Sequence, residues 1–177
     1  VIGINDLTLV NAQNMNYAIP INVYKQIPQN ANTNLISINQ KYYVASSGKG
    51  TVNEEESNDT LDKADPVRFS DATMLGEFSN NNDTDYYLFL ITKYQTVHIL
   101  GLTANAEASE DLAFSLYDSD GNFIEVCTLE YSDEQQKYFC YLDADLPPGF
   151  YFIGAYVNPD TKYDNSGEAY GLSLKID

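Results

Sequence analysis

From Tyr86 onward, apolar residues recur at every second position in short runs. Tyr86–Ile91, Gln95–Leu102, Leu112–Tyr117, Phe123–Leu129, Tyr138–Leu142, Phe150–Val157 and Ala169–Ile176 all follow this period of two. Alternation of this kind is what a strand with one buried face requires. The runs are separated by turn chemistry. Asp118-Ser-Asp-Gly121 closes one strand, and Leu146-Pro-Pro-Gly149 is a tight turn before another. Short strands with regular turns predict an all-β fold, an antiparallel sandwich of about seven or eight strands, jelly-roll-like in outline.

The first 52 residues read differently. Residues 1–10 (VIGINDLTLV) predict a strand, a turn at Asn5-Asp6 and more strand, and residues 16–21 (NYAIPI) a second short strand. Ile19, Val23, Tyr24 and Ile27 then recur at helical spacing from Pro20 until Pro28 stops the helix. Two strands and a helix cannot close a core alone, so this segment needs a partner beyond itself. Packing as an extra strand layer on a larger sandwich is one alternative. Residues 28–52 are rich in Asn, Gln, Ser and Gly around one apolar run, Leu35–Ala45, and read as a linker. The opening Val-Ile-Gly-Ile looks like mid-strand, which suggests a start that is not native and a targeting segment upstream.

Charge sharpens the division. Residues 1–52 carry Lys25, Lys41 and Lys49 against Asp6, a net of +2, whereas six basic and twenty-five acidic residues put −19 on 53–177. A field of that sign repels nucleic acid and anionic membrane and favours cations. No apolar run approaches the roughly 20 residues that would span a bilayer.

Two acidic clusters stand out. Residues 53–60 read NEEESNDT, and residues 79–85 read SNNNDTD and run directly into a strand. In extended chain, alternate residues point the same way, so Glu54, Glu56 and Asn58 share a face, as do Asp83 and Asp85. Their oxygens suit a hard cation. A solvated acidic linker with an Asn-Asp turn explains the same residues without a ligand.

Other candidate chemistry is thin. A hairpin centred on Tyr131–Gln136 would set Cys127 directly opposite Cys140, within reach of a disulfide, with two buried free thiols as the alternative. His98, the only histidine, alternates with Val97 and Ile99 and reads as a structural or surface residue. Asp118-Ser-Asp-Gly121 reads as a turn rather than a metal loop, because no distal Glu follows. Tyr151, Tyr156 and the Tyr86–Tyr87 pair offer an aromatic face, against a default of core packing.

Two resemblances add to this. VIGIN, a loop, then NMNYAIPINVYKQI resembles the end of a trypsin-like serine peptidase domain, the last strands of its second barrel and a closing helix. By that match residues 1–28 would be a partial β-barrel remnant with a short helix, and Ile4, Asn5, Tyr17 and Ala18 would lie near a specificity pocket. The Gly-x-Ser-Gly nucleophile turn and matching His and Asp are not in this sequence, so catalysis is not expected from this chain alone.

The second resemblance spans 53–177, with residues 29–52 as linker. Glu54, Glu56, Asn58, Asp59, Thr60 and Ala64 are followed in order by Gly76, Asp83, Asp85, Tyr86, Tyr87 and Phe89. Leu116, Tyr117, Asp118 and Gly121 come next, then Leu146, Pro147, Gly149, Tyr151 and Ile153. This series is similar to the bacterial pre-peptidase C-terminal domain, a β-sandwich appended to secreted peptidases. The resemblance implies calcium held by Glu54, Glu56, Asn58, Asp59, Asp83 and Asp85. It also implies an extracellular setting and a protein or peptide substrate met through the parent enzyme. Extracellular matrix or a cell-surface polymer is a possible further partner. A purely structural or adhesive sandwich without ligand is the competing expectation.

Overall fold

The computed structural model describes residues 48–103, 112–133, 137–157 and 164–177. The expected barrel remnant, its helix and most of the linker lie outside these residues. Within them the chain is all-β, with eleven strands in two sheets. The strands are β1 (Lys49–Asn53), β2 (Asp65–Pro66), β3 (Asp71–Glu77), β4 (Thr84–Ile91), β5 (Gln95–Thr103), β6 (Leu112–Asp118), β7 (Phe123–Thr128), β8 (Glu130–Ser132), β9 (Lys137–Leu146), β10 (Gly149–Val157) and β11 (Ala169–Ile176). Sheet A runs β1-β3-β11-β5-β9-β8, and sheet B runs β2-β4-β10-β6-β7.

The expected sandwich is present, with two departures. The sheets are mixed rather than wholly antiparallel, because β1 pairs with β3 and β2 with β4 in parallel. The strand number exceeds the expected seven or eight because short edge strands join each sheet. A two-residue strand such as β2 has no room to show a period of two.

The period-two residues of both sheets meet in one core. Tyr87, Phe89 and Ile91 of β4, Ile153 and Ala155 of β10, Leu112, Phe114 and Leu116 of β6 face Met74, Val97, Ile99, Leu172 and Leu174 from sheet A. Each Val, Leu, Ile, Phe or Met among them contributes about 1.5–3 kcal/mol when fully removed from water. β10 is buried along both faces in its middle, Tyr151 to Ala155. Its outward Phe152 is covered, with Leu88, by a second small cluster in which Ala64 and Leu61 of the acidic arm pack down beside Tyr86, Tyr117 and Phe150. The arm that leaves β1 therefore crosses from sheet A to sheet B and pins itself on the outside of sheet B.

Cys127 and Cys140 are disulfide-bonded, with Cα atoms 5.5 Å apart. The expected hairpin between them does not exist. Cys127 lies on β7 of sheet B opposite Phe114, and Cys140 lies on β9 of sheet A opposite Gly101. The chain changes sheets at Leu129, and the hairpin that does form is β8–β9, with Glu130 opposite Phe139. The bond therefore ties sheet to sheet, both sulfurs buried in the core.

Closing a loop between cysteines separated by 13 residues restricts the unfolded chain by about 3 kcal/mol. Replacing both cysteines by serine should lower the unfolding free energy by roughly 2–4 kcal/mol. Urea unfolding of the oxidised chain and the double variant measures this. Equal midpoints would show that the bond closes nothing the core does not already close.

Candidate functional site

The acidic arm, residues 54–64, is stitched to both sheets. Glu54 N–H donates to Leu75 O of β3 (3.0 Å), and Tyr86 N–H of β4 donates to Asn58 O (3.2 Å). Glu54 Oε2 accepts the Glu77 N–H (2.8 Å). Asp65, which sequence reasoning passed over, anchors the arm from below. Its buried Oδ2 accepts the Glu55 N–H (2.9 Å) and Asn58 Nδ2 (3.2 Å). The loop before β4 folds on itself, with Asp83 Oδ2 accepting the Ser79 N–H (2.5 Å) and Asn80 Oδ1 accepting the Asn82 N–H (2.9 Å).

These connections bring five of the six residues singled out in the sequence into two groups that share Glu56, with Asn58 buried on the same arm. One oxygen each of Glu54, Glu56 and Asp85 lie within 4.8 Å of one another, and so do oxygens of Glu56, Asp59 and Asp83. Oxygens sharing one calcium ion lie no further apart than about twice its 2.3–2.6 Å bond, roughly 5 Å. Asn58, Asp83 and Asp85 are buried, and each has an Oδ1 with no hydrogen-bond partner. A buried acceptor left unsatisfied costs about 1–3 kcal/mol. An all-oxygen donor set of five carboxyl groups, two of them buried, and an amide carbonyl fits a hard cation such as calcium. Gly76 makes room for the Tyr170 phenol and the Glu54 carboxylate. A Cβ there would lie 2.7 Å from Glu54 Oε2 and closer still to the Tyr170 phenol.

The crowding shows in the titration of these groups. Burial first, then neighbouring carboxylates, push Glu54 and Glu56 upward. Asp59 is raised chiefly by its contact with the Asp83 carboxyl. Asp85 is pushed up to about 8, first by burial, and held back by the Tyr170 hydroxyl. Tyr170 donates to Asp85 Oδ2 (2.6 Å) and meets the Tyr87 hydroxyl (2.9 Å). That chain crosses the core from β11 to β4 directly beneath the cluster.

A second feature lies on the outer face of sheet B. Gly154, Ser115 and Ala113 line up across β10 and β6 beneath Tyr86, Tyr117 and Tyr156, with Gly154 and Ser115 buried under the rings. Tyr86 and Tyr117 lean over Gly154, where an added Cβ would lie 3.0 and 3.2 Å from their rings. Ser115 Oγ meets Tyr156 Oη (3.1 Å). The open pocket there, about 280 Å³, is rimmed by Asn81, Asn82 and Asp83 of the acidic loop. Of the aromatic residues expected to form a face, Tyr86 and Tyr156 do so. Tyr87 and Tyr151 point into the core. Their parity along β4 and β10 decides this, since Tyr86 and Tyr87 are neighbours and must face opposite ways. Tyr117 was missed, though its alternation with Leu116 carries the same signal.

Asp118 forms the turn expected of it, its Oδ1 accepting from Asp120 N–H and Asn122 N–H at 2.9 Å. His98 stands on the outer face of sheet A.

No protein-family model matches the chain, and no curated protein matches it. Among solved structures, the chain is similar to the pre-peptidase C-terminal domain of a collagenase from Bacillus anthracis, at 17% identity and a TM-score of 0.43, over 73% of this chain and 95% of that one. It is also similar to PliG of Aeromonas hydrophila, a periplasmic inhibitor of g-type lysozyme, at 17% identity and a TM-score of 0.43, over 75% and 100%. A cycloisomaltooligosaccharide glucanotransferase of Paenibacillus sp. is similar at 18% and 0.36, over 55% of this chain and 13% of that one. At such identities and scores none of them says what this chain binds.

In the presence of a chelator, stability should depend on pH through the buried cluster. Asp85 titrates near 3.8 when unfolded and near 8 when folded. Across that window the folded state binds more protons, so stability falls as pH rises. The urea midpoint should decrease from about pH 5 to about pH 8, and Asp85→Asn should flatten the decrease. A midpoint that climbs over this range would contradict the burial of Asp85.

Proposed function

We propose that residues 53–177 form a calcium-stabilised accessory module of a secreted trypsin-like serine endopeptidase, and that its tyrosine-lined face binds a polymeric protein or a surface polymer. The observation that carries the cation is the convergence of carboxylates from the arm, the loop and β4 around three unsatisfied buried oxygens. Like charges at these separations repel, and a divalent ion turns that repulsion into attraction. Glu54, Glu56, Asn58, Asp59, Asp83 and Asp85 would be its ligands. The peptidase parentage rests on the resemblance of residues 1–28, and the secreted setting is supported by a disulfide, which persists in oxidising surroundings. Among the described residues no helix is long and apolar enough to cross a membrane. The open pocket lined by Tyr86, Tyr117 and Tyr156 suits an extended chain laid over stacking rings.

Magnitudes separate what the ion holds from what packing holds. Leu88 and Phe152, covered by Leu61 and Ala64, contribute several kcal/mol together at about 1.5–3 each. The staple at residues 61–66 should therefore stay docked without the ion, while residues 54–59 loosen.

Calcium at a hundredfold excess over its Kd adds about 2.7 kcal/mol, which raises the melting temperature by roughly 5–15 °C. It should also slow proteolysis within residues 54–59. Asp83→Asn and Asp59→Asn should lose most of both effects, and Asp118→Ala should keep them. Tyr156→Ala should release the calcium-loaded chain from insoluble protein fibres while its melting curve still shifts upward with calcium. Calorimetry that finds no calcium binding, with an unmoved melting curve, would leave a structural module without this ligand.

A further inference from the structure

The outer face of sheet A carries a set of paired charges that serves neither the cation cluster nor the tyrosine face. Register places Lys175 of β11, His98 of β5 and Asp143 of β9 side by side. The His98 ring is engaged at both nitrogens. Nδ1 contacts Asp143 Oδ1 and lies 3.0 Å from Tyr141 Oη, while Nε2 lies 3.1 Å from Asp177 Oδ2. Two carboxylates on the two ring nitrogens require two N–H donors. Only the imidazolium has both, since neutral imidazole offers one N–H and one lone pair.

We propose that His98, Asp143 and Asp177 form a pH-operated latch, which ties β9 and the end of β11 to β5 while the ring carries two protons and releases the end of β11 once it carries one.

The surrounding charges decide which contact opens. From β9, Tyr141, Asp143 and Asp145 face this region, and Asp145 Oδ1 already accepts from Thr96 Oγ1 (2.6 Å). From β11 come Lys175 and Asp177, with Lys175 Nζ on Asp177 Oδ1 (2.6 Å). One strand further, Asp71 of β3 is held by Lys49 of β1 (2.6 Å). Lys175 opposes a second positive charge nearby, but its charge is spent on Asp177. The two carboxylates prevail, Asp143 first and Asp177 second, and hold the imidazole above its ordinary range. When the second proton leaves, the remaining N–H stays on the closer partner, Asp143. The Nε2 lone pair then faces Asp177, which keeps Lys175. A raised folded pKa means that the latch is complete below the ordinary value near 6.5 and is lost as pH rises through the folded value. The His98 side chain retains 25% of its exposure and Asp177 52%, so protons reach the latch without unfolding, and salt weakens it.

The full 177-residue chain holds one histidine, so a single imidazole resonance reports the transition in an NMR titration. Its midpoint should lie above about 6.5, and Asp143→Asn and Asp177→Asn should each lower it. The Asp177 N–H donates to Thr96 O (3.1 Å) and reports the end of β11. After correction for intrinsic chemistry, its hydrogen-exchange protection should drop about two- to fivefold through the same midpoint, the range expected of an exposed ion pair. His98→Gln should remove that step. A midpoint at or below the ordinary value and unmoved by either substitution would overturn the latch. So would protection at Asp177 that ignores the transition or keeps its step in His98→Gln.

Discussion

Carboxylate repulsion at one side of the sandwich is the constraint around which this fold is arranged. Glu54, Glu56, Asp59, Asp83 and Asp85 come from three segments yet meet within a few ångströms. The backbone brings them there by hydrogen bonds that do not depend on charge, such as Glu54 N–H to Leu75 and Tyr86 N–H to Asn58. The Leu61–Ala64 staple adds apolar burial on the far side. Packing and backbone thus force together groups that electrostatics would separate, and the buried Asp85 is the residue least able to escape. The phenol of Tyr170, supported by that of Tyr87, supplies one donor to Asp85. Its other oxygen has no donor at all, which is the clearest opening for a cation.

The same loop serves two surfaces. Asp83 belongs to the carboxylate cluster and also stands at the rim of the pocket between Tyr86 and Tyr156. The arm covers Leu88 and Phe152 on sheet B, while the pocket between Tyr86, Tyr117 and Tyr156 on the same face stays open. Among the described residues sheet A has no such cover. Its outward charges pair instead, His98 with Asp143 and Asp177, and Lys175 with Asp177. One face is therefore shaped by small residues beneath rings, and the other by paired charges.

Much of this was legible in the sequence, for reasons that are local. Alternation is a local signal, so the long strands β4, β5, β6, β10 and β11 were visible. The oxygen-rich runs at 53–60 and 79–85 were visible because they lack neutralising bases. What was not legible depends on distant partners. The cysteine hairpin failed because period two says nothing of which sheet a strand joins, and Leu129 carries the chain from one to the other. The parallel pairs β1–β3 and β2–β4 are short, and their partners lie across a crossover. Asp65, beside Pro66, carries no local signal of its own. Only the arm folding back from Glu55 and Asn58 makes it a buried acceptor.

The two sides of the sandwich are closed in different ways. At one side β1 and β2 are the edge strands of sheets A and B, joined by the acidic arm. At the other β7 and β8 are the edges, joined through Leu129 and stapled by Cys127–Cys140. Without such closures each sheet would present an open edge to other chains. The disulfide is covalent and indifferent to solution conditions short of reduction. The arm is held by a few backbone hydrogen bonds and a small apolar cluster, against its own charge. A fold fastened permanently on one side and conditionally on the other has a defined place to respond to its surroundings. Here that place lies beside the tyrosine-lined pocket, because Asp83 belongs both to the carboxylate cluster and to the pocket lining.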